Sequence, residues 1–171
     1  MGQDKASLLI EGRSLVERIA DELQKAGFEP FILGGRPLLG RHFIPDETLG
    51  SGPLAALRGF APPDGLVFVS SCDLPLFRSS IPLAFEEMLA DFDCVIPRIA
   101  GSDQPLCALY RSSCWLPLRQ DPPLRRVMDW VERLTCVKSD EPNLLAMGIQ
   151  PSWCRGANTP DELHALLALE E

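Results

Sequence analysis

The order of elements predicted from the sequence points to an α/β fold: a three-layer sandwich around a mostly parallel, Rossmann-like sheet. Two observations carry this. Short runs of strand length, Phe31 to Leu33, Leu66 to Ser70, Asp93 to Ile96 and Leu106 to Tyr110, alternate with stretches whose apolar residues recur at helical spacing. The strand-length run Leu66 to Ser70 is also apolar-rich rather than alternating apolar with polar, as a strand buried on both faces is.

Composition bounds the rest. The 171 residues fit one domain with a sizeable core, and 46% apolar with 23% charged residues is globular usage. A net charge of -8 argues against binding along a nucleic-acid backbone, which needs clustered Lys and Arg. Any anionic substrate must then be met by local donors or a metal. The six cysteines, at 72, 94, 107, 114, 136 and 154, form no C-x-x-C pair and meet no His at zinc-ligand spacing, so they read as reduced core residues. No apolar run has the length of a membrane span and no signal peptide precedes the globular pattern, which makes the cytoplasm the expected compartment and a membrane partner unexpected.

In chain order, Leu8, Leu9 and Ile10 are apolar before a turn at Gly12. A helix follows from Ser14, because Leu15, Val16, Ile19, Ala20 and Leu23 repeat at helical spacing; Ser14 can cap its start and Gly27 suits the left-handed residue beyond its end. Phe31 to Leu33 reads as a short strand ending at Gly34-Gly35-Arg36, which is either a phosphate loop or a plain turn. A second short strand, His42 to Ile44, leads to Asp46. Gly50-Ser51-Gly52-Pro53 then leads into a helix with Pro53 at its first position, and the flexible backbone before it, at Gly52, beside free amides suits contact with a base or a phosphate, or is ordinary punctuation.

The strand Leu66 to Ser70 runs straight to Asp73, with Leu74-Pro75 ending further pairing. That is the place where open α/β sheets bind ligands, so Asp73 is a candidate metal ligand, against the alternative of a carboxylate capping its own turn. A helix over Ser79 to Ala90 and the strands at 93–96 and 106–110 follow. Two short helices come next, around Cys114 to Leu118 and over Leu124 to Leu134; Arg125 and Arg126 on the second either reach an anion or line a solvated face. Thr135 to Lys138 is an edge strand. Thr159-Pro160-Asp161-Glu162 is a capping box that starts a final helix lined by Leu163, Leu166, Leu167 and Leu169. His164 on that helix reads as a surface residue.

Taken in order, MGQDKA, PDETLGSGPLAAL, VFVSSCDLP, QPLCALYR and NTPDEL resemble the molybdenum cofactor guanylyltransferases over nearly the whole chain. The resemblance implies a nucleotidyltransferase-type sheet and transfer of GMP from GTP to the phosphate of Mo-molybdopterin, with release of pyrophosphate. It implies that Lys5 contacts the GTP phosphates, Asp73 holds Mg²⁺, and Asp46 helps hold the nucleotide. Gly34 and Gly52 fall at further nucleotide-side positions, and Asn158 of the NTP motif lies on the pterin side. Other cofactor-biosynthesis proteins and acceptor molybdoenzymes are the implied partners. Such transfer depends on positioning and charge neutralisation, and the incoming phosphate is itself the nucleophile.

Three departures qualify the resemblance. The family's first strand and its loop, approximately LAGG-x-S-x-R-M-G, are met only at Met1-Gly2, so the domain is expected to be incomplete at its N-terminus relative to the family. Gly34 stands where an Asn is frequent, and Gly156 stands two residues before Asn158 where another Asn is frequent. The alternatives are a related cytidylyltransferase or sugar-phosphate nucleotidyltransferase, and a non-catalytic cofactor-binding or partner-binding module.

Overall fold

Residue alternation along three strands explains the layers of this protein. The computed structural model describes residues 9–10, 12–46, 52–120 and 124–169. Among these, strands β1 (Leu9–Ile10) and β2 (Arg13–Ser14) make a small antiparallel pair, and β3 (Phe31–Leu33) and β4 (His42–Ile44) a small parallel one. The main sheet is built from β5 (Leu66–Ser70), β6 (Cys94–Ile99), β7 (Ser102–Asp103), β8 (Cys107–Arg111) and β9 (Cys136–Ser139).

Within the main sheet Phe68, Val95 and Leu109 turn to one face, while Val69, Cys94, Ile96, Ala108 and Tyr110 turn to the other. The first face is covered by α1 (Leu15–Lys25), α3 (Ser80–Leu89) and α6 (Glu141–Ala146) through Ile19, Phe85 and Leu144. The second is covered by α2 (Gly52–Gly59), α4 (Trp115–Gln120) and α5 (Val127–Val131) through Leu57, Leu118 and Trp130. Two-residue periodicity on the strands thus produces a helix layer on either side. A third cluster seats α7 (Pro160–Leu167) against Ile10, Leu15 and Leu76.

The sheet is mixed rather than mostly parallel. Strand β8 runs antiparallel to both β5 and β6 and lies between them, and β7 is also antiparallel to β6; the pairing of β6 with β9 is parallel. Strands β5, β6 and β9 therefore share a direction, and the two reversed strands, β7 and β8, make three of the four described pairings of this sheet antiparallel. Helical spacing and apolar runs carry no information on strand direction, and the mostly parallel, Rossmann-like sheet expected from the sequence is not confirmed by the described strands.

Several predicted elements have the expected bounds for local reasons. Ser14 Oγ accepts from the Glu17 N–H while Glu17 reaches back to the Ser14 N–H at 2.8 Å, a capping box at the start of α1. Gly27 follows its end at φ +88°. Thr159 and Glu162 make the same reciprocal pair at the start of α7. The helix expected over 124–134 is shorter. The Asp129 carboxylate accepts the N–H groups of Arg125 and Arg126 at 3.0 and 2.9 Å, which sets the first turn of α5 at Val127. Helix α6 was not anticipated, although Asp140 caps it by accepting from the Asn143 N–H at 3.1 Å and Pro142 sits in its first turn.

Cysteine usage needs correction. Cys94 and Cys136 face each other in register on β6 and β9, with Cα atoms 4.9 Å apart, and form a disulfide. Cys107, Cys114 and Cys154 are thiols in the core outside the disulfide, and Cys72, also outside it, is exposed. Behind them the second face holds an aromatic stack. The Tyr110 and Trp130 rings lie 4.8 Å apart and nearly parallel, and Trp115 meets Trp130 edge-on at 5.2 Å. Each polar tip is satisfied, by the carbonyls of Pro105, Cys114 and Leu57 respectively. No helix among the described residues is long and apolar enough to cross a membrane.

Candidate active site

The carboxyl end of β5 places Asp73. The strand ends at Ser70, but the Ser71 N–H still bonds the Leu106 carbonyl at 2.6 Å, so the chain leaves the sheet along β8. Leu74, Pro75, Leu76 and Phe77 then bury themselves, and Pro75 has no N–H to extend the ladder. Asp73 is thus presented at the rim of an apolar floor. Its carbonyl accepts the Ala157 N–H at 2.9 Å, which draws the loop before α7 onto it.

The side chain is held as well. Ser71 Oγ donates to Asp73 Oδ1 at 2.6 Å, and among the described residues no hydrogen bond reaches Oδ2. Gly156 covers the carboxylate from the other side: a β-carbon there would lie 3.1 Å from Oδ1 and 3.2 Å from Oδ2. Asp73 is therefore brought together with the NTP loop. Asn158, at its exposed end, is fixed through its backbone, the N–H donating to Glu162 Oε2 at 2.6 Å in the capping box of α7.

An oxygen donor of this kind suits Mg²⁺, which takes one or two protein carboxylates and fills its shell with substrate phosphates and water. Among the described residues no group of three or more His, Cys, Asp or Glu side chains is placed to hold a metal ion. Asp73 fits the group as an anchor within a shell completed by substrate, not as a member of a protein cage.

A second pairing joins the predicted nucleotide-side residues. The Gly34 N–H donates to the Ile44 carbonyl at 2.8 Å, closing the end of the β3–β4 pair, and Gly34 has φ +70°. Asp46 fills the space over it: a β-carbon at Gly34 would lie 2.7 Å from Asp46 Cγ. The two predicted residues thus touch. No hydrogen bond or ion pair given for the described residues links this pair to Asp73. Gly52 begins α2 at φ +78° with open space beside it, as a backbone contact requires. Lys5 lies outside the described residues.

Cys107 behind Asp73 is not a nucleophile. Cys107, in register with Ser70, is buried with Cys154; its bond to Cys154, then burial, hold the thiol well above the ordinary range, and the Asp73 charge adds to this. Thiolate chemistry is suppressed there. Arg125 and Arg126 are exposed, and Arg126 turns back to Asp129 at 2.8 Å. Ser71 was not singled out from the sequence. Its spacing two residues before an Asp, where a hydroxyl can reach a nearby carboxylate or backbone group, was the available signal.

Residues 1–137 match the family model described as the MobA-like NTP transferase domain. A probable molybdenum cofactor guanylyltransferase of Pelotomaculum thermopropionicum is 30% identical over 175 residues, which span 95% of this chain and 83% of that protein. Another from Carboxydothermus hydrogenoformans is 30% identical over 122 residues, 67% of this chain and 61% of that one. The crystal structure of molybdopterin-guanine dinucleotide biosynthesis protein A from Archaeoglobus fulgidus superposes with a TM-score of 0.70 at 20% identity, over 99% of this chain and 93% of that chain. At that identity the likeness establishes the fold alone.

Proposed function

Because the chain belongs to the MobA-like NTP transferase family, we propose that it is a molybdenum cofactor guanylyltransferase, transferring GMP from GTP to Mo-molybdopterin. The observation that carries this is the Asp73 carboxylate at the end of β5, held by Ser71 and packed under Gly156 of the NTP loop.

In the reaction a phosphate oxygen of the acceptor attacks the α-phosphorus of GTP. The bond from that phosphorus to the bridging oxygen of the β-phosphate breaks, and pyrophosphate leaves with the electron pair. The acceptor phosphate is already ionised at neutral pH, so no side chain has to remove a proton. This accords with buried, protonated Cys107. Mg²⁺, when bound, supplies charge neutralisation on the phosphates. Asp73 would hold that ion; Asp46, set by Gly34, and the backbone at Gly52 would contact the guanine nucleotide; Asn158 would face the pterin; Lys5 would contact the triphosphate. The product passes to later cofactor-handling proteins and to acceptor molybdoenzymes.

Incubating the purified chain with GTP, Mg²⁺ and Mo-molybdopterin, then weighing the cofactor by mass spectrometry, tests this. Appearance of the guanine dinucleotide with one pyrophosphate per product is expected. A product formed from CTP and not from GTP assigns a cytidylyltransferase instead, and binding of both substrates with no product assigns a non-catalytic module.

A further inference from the structure

We propose that Ser71 is a positioning residue for the metal-binding carboxylate, with Gly156 packed against it, so that Asp73 is held in one orientation with Oδ1 engaged by Ser71 and Oδ2 left for the metal. This deepens the assignment of Asp73 as metal ligand and rests on it. An aspartate side chain has two rotatable bonds, and a carboxylate that must hold an ion beside a triphosphate loses affinity for each orientation it samples. Two features of this chain remove that freedom. The Ser71 hydroxyl, 2.6 Å from Oδ1, takes one oxygen as hydrogen-bond acceptor. Gly156 lies close against the carboxylate: a β-carbon there would stand 3.1 to 3.2 Å from its three heavy atoms, tighter than ordinary contact, and the carboxylate would have to give by a few tenths of an ångström.

Ser71 itself cannot follow Asp73 if the carboxylate swings. Its N–H is tied to Leu106 on the β8 side at 2.6 Å, and its carbonyl accepts the Ser70 hydroxyl at 3.0 Å. The anchor is therefore the sheet, not the loop. The Asp73 main chain is pinned separately to Ala157 at 2.9 Å, so loss of the Ser71 hydroxyl frees the carboxylate without freeing the backbone. A hydroxyl that merely caps a turn would stabilise the fold and leave metal affinity untouched. One that orients a ligand acts on metal binding, where outer partners typically matter by about 10-fold or more.

The test measures GTP affinity of the full chain by titration calorimetry, once with Mn²⁺ as metal and once with chelator, together with each variant's melting temperature. The ratio of the two affinities isolates the metal. Ser71→Val is expected to lower that ratio about tenfold with metal-free GTP affinity unchanged. Ser71→Thr, of the same shape but with the hydroxyl, restores it, so any general loss of stability at this position is shared by the pair and drops out. Gly156→Ala, which crowds the carboxylate from the other side, lowers the ratio as well. Equal ratios in Ser71→Val and Ser71→Thr, with Asp73→Asn losing the metal effect, overturn the positioning role alone. A full metal effect in Asp73→Asn overturns the assignment of Asp73 beneath it.

Discussion

Replacing Gly34 by alanine imposes two separable costs on the Gly34–Asp46 contact. Position 34 has φ +70°, a left-handed conformation that costs an L-residue about 1–2 kcal/mol. The new β-carbon would also stand 2.7 Å from Asp46 Cγ, well inside the ~3.5–4.0 Å at which carbons rest in contact. The Asp46 side chain must rotate away, and its position is lost. Together these amount to about 2 kcal/mol, which for a chain of this size corresponds to a fall of roughly 4–8 °C in melting temperature. In an Asp46→Ala background the steric part vanishes and the backbone part remains, so the double variant should be more stable than the two single effects added together. Thermal melts of the four proteins measure this. GTP titration adds a functional reading: Gly34→Ala should weaken the nucleotide as much as Asp46→Ala does, with no further loss in the double variant. Strictly additive melting shifts, or a Gly34→Ala protein melting within about 1 °C of the parent, would refute the contact.

Three other outcomes follow from the structure. Asp73→Asn removes one charge from the metal-binding carboxylate and should lower turnover by about two to three orders of magnitude, the scale of a bound metal's contribution, in a steady-state pyrophosphate-release assay. Asp93 accepts the N–H and hydroxyl of Thr135 at 2.8 and 2.7 Å, bonds that hold its carboxyl below the usual range. Because the folded value is depressed, this stabilisation is present above the unfolded Asp value of about 3.9 and is lost as pH falls through the lower folded value. Melting curves of Asp93→Asn should accordingly lose less stability than the parent as pH falls from about 5 to below the unfolded Asp value of about 3.9. Finally, alkylation of denatured, unreduced protein should modify the four cysteines outside the disulfide and spare Cys94 and Cys136, with reduction exposing both; intact mass reads the count.

Much of the site was legible because its signals are local or carried by ordered motifs. Asp73 stands at a strand end that the apolar run defines, and Gly34 with Asp46 follow two short strands in sequence. Their mutual contact was not legible, since it depends on β3 and β4 lying side by side. Gly156 was visible only as a departure from a motif; its place over the Asp73 carboxylate requires the loop before α7 to return across the end of β5. Ser71 gave a faint signal at best, because a serine two residues from an aspartate bonds it only in one backbone geometry.

The sequence by itself determined the features whose energetics close within a few residues: the capping boxes at Ser14–Glu17 and Thr159–Glu162, the bounds of β5, the helical faces, and the carboxylate at the strand end. Tertiary structure alone decided the direction of β8 between β5 and β6, the joining of Cys94 to Cys136, and the closing of Ser71 and Gly156 around Asp73. The strand pairings, the disulfide and the Gly156 contact join segments distant in the chain, while the Ser71 bond spans two residues and depends on the backbone geometry at the sheet edge. Strand periodicity is the same in either direction, and a cysteine or glycine carries no local mark of its partner, so only the packing of the whole sheet selects among the arrangements.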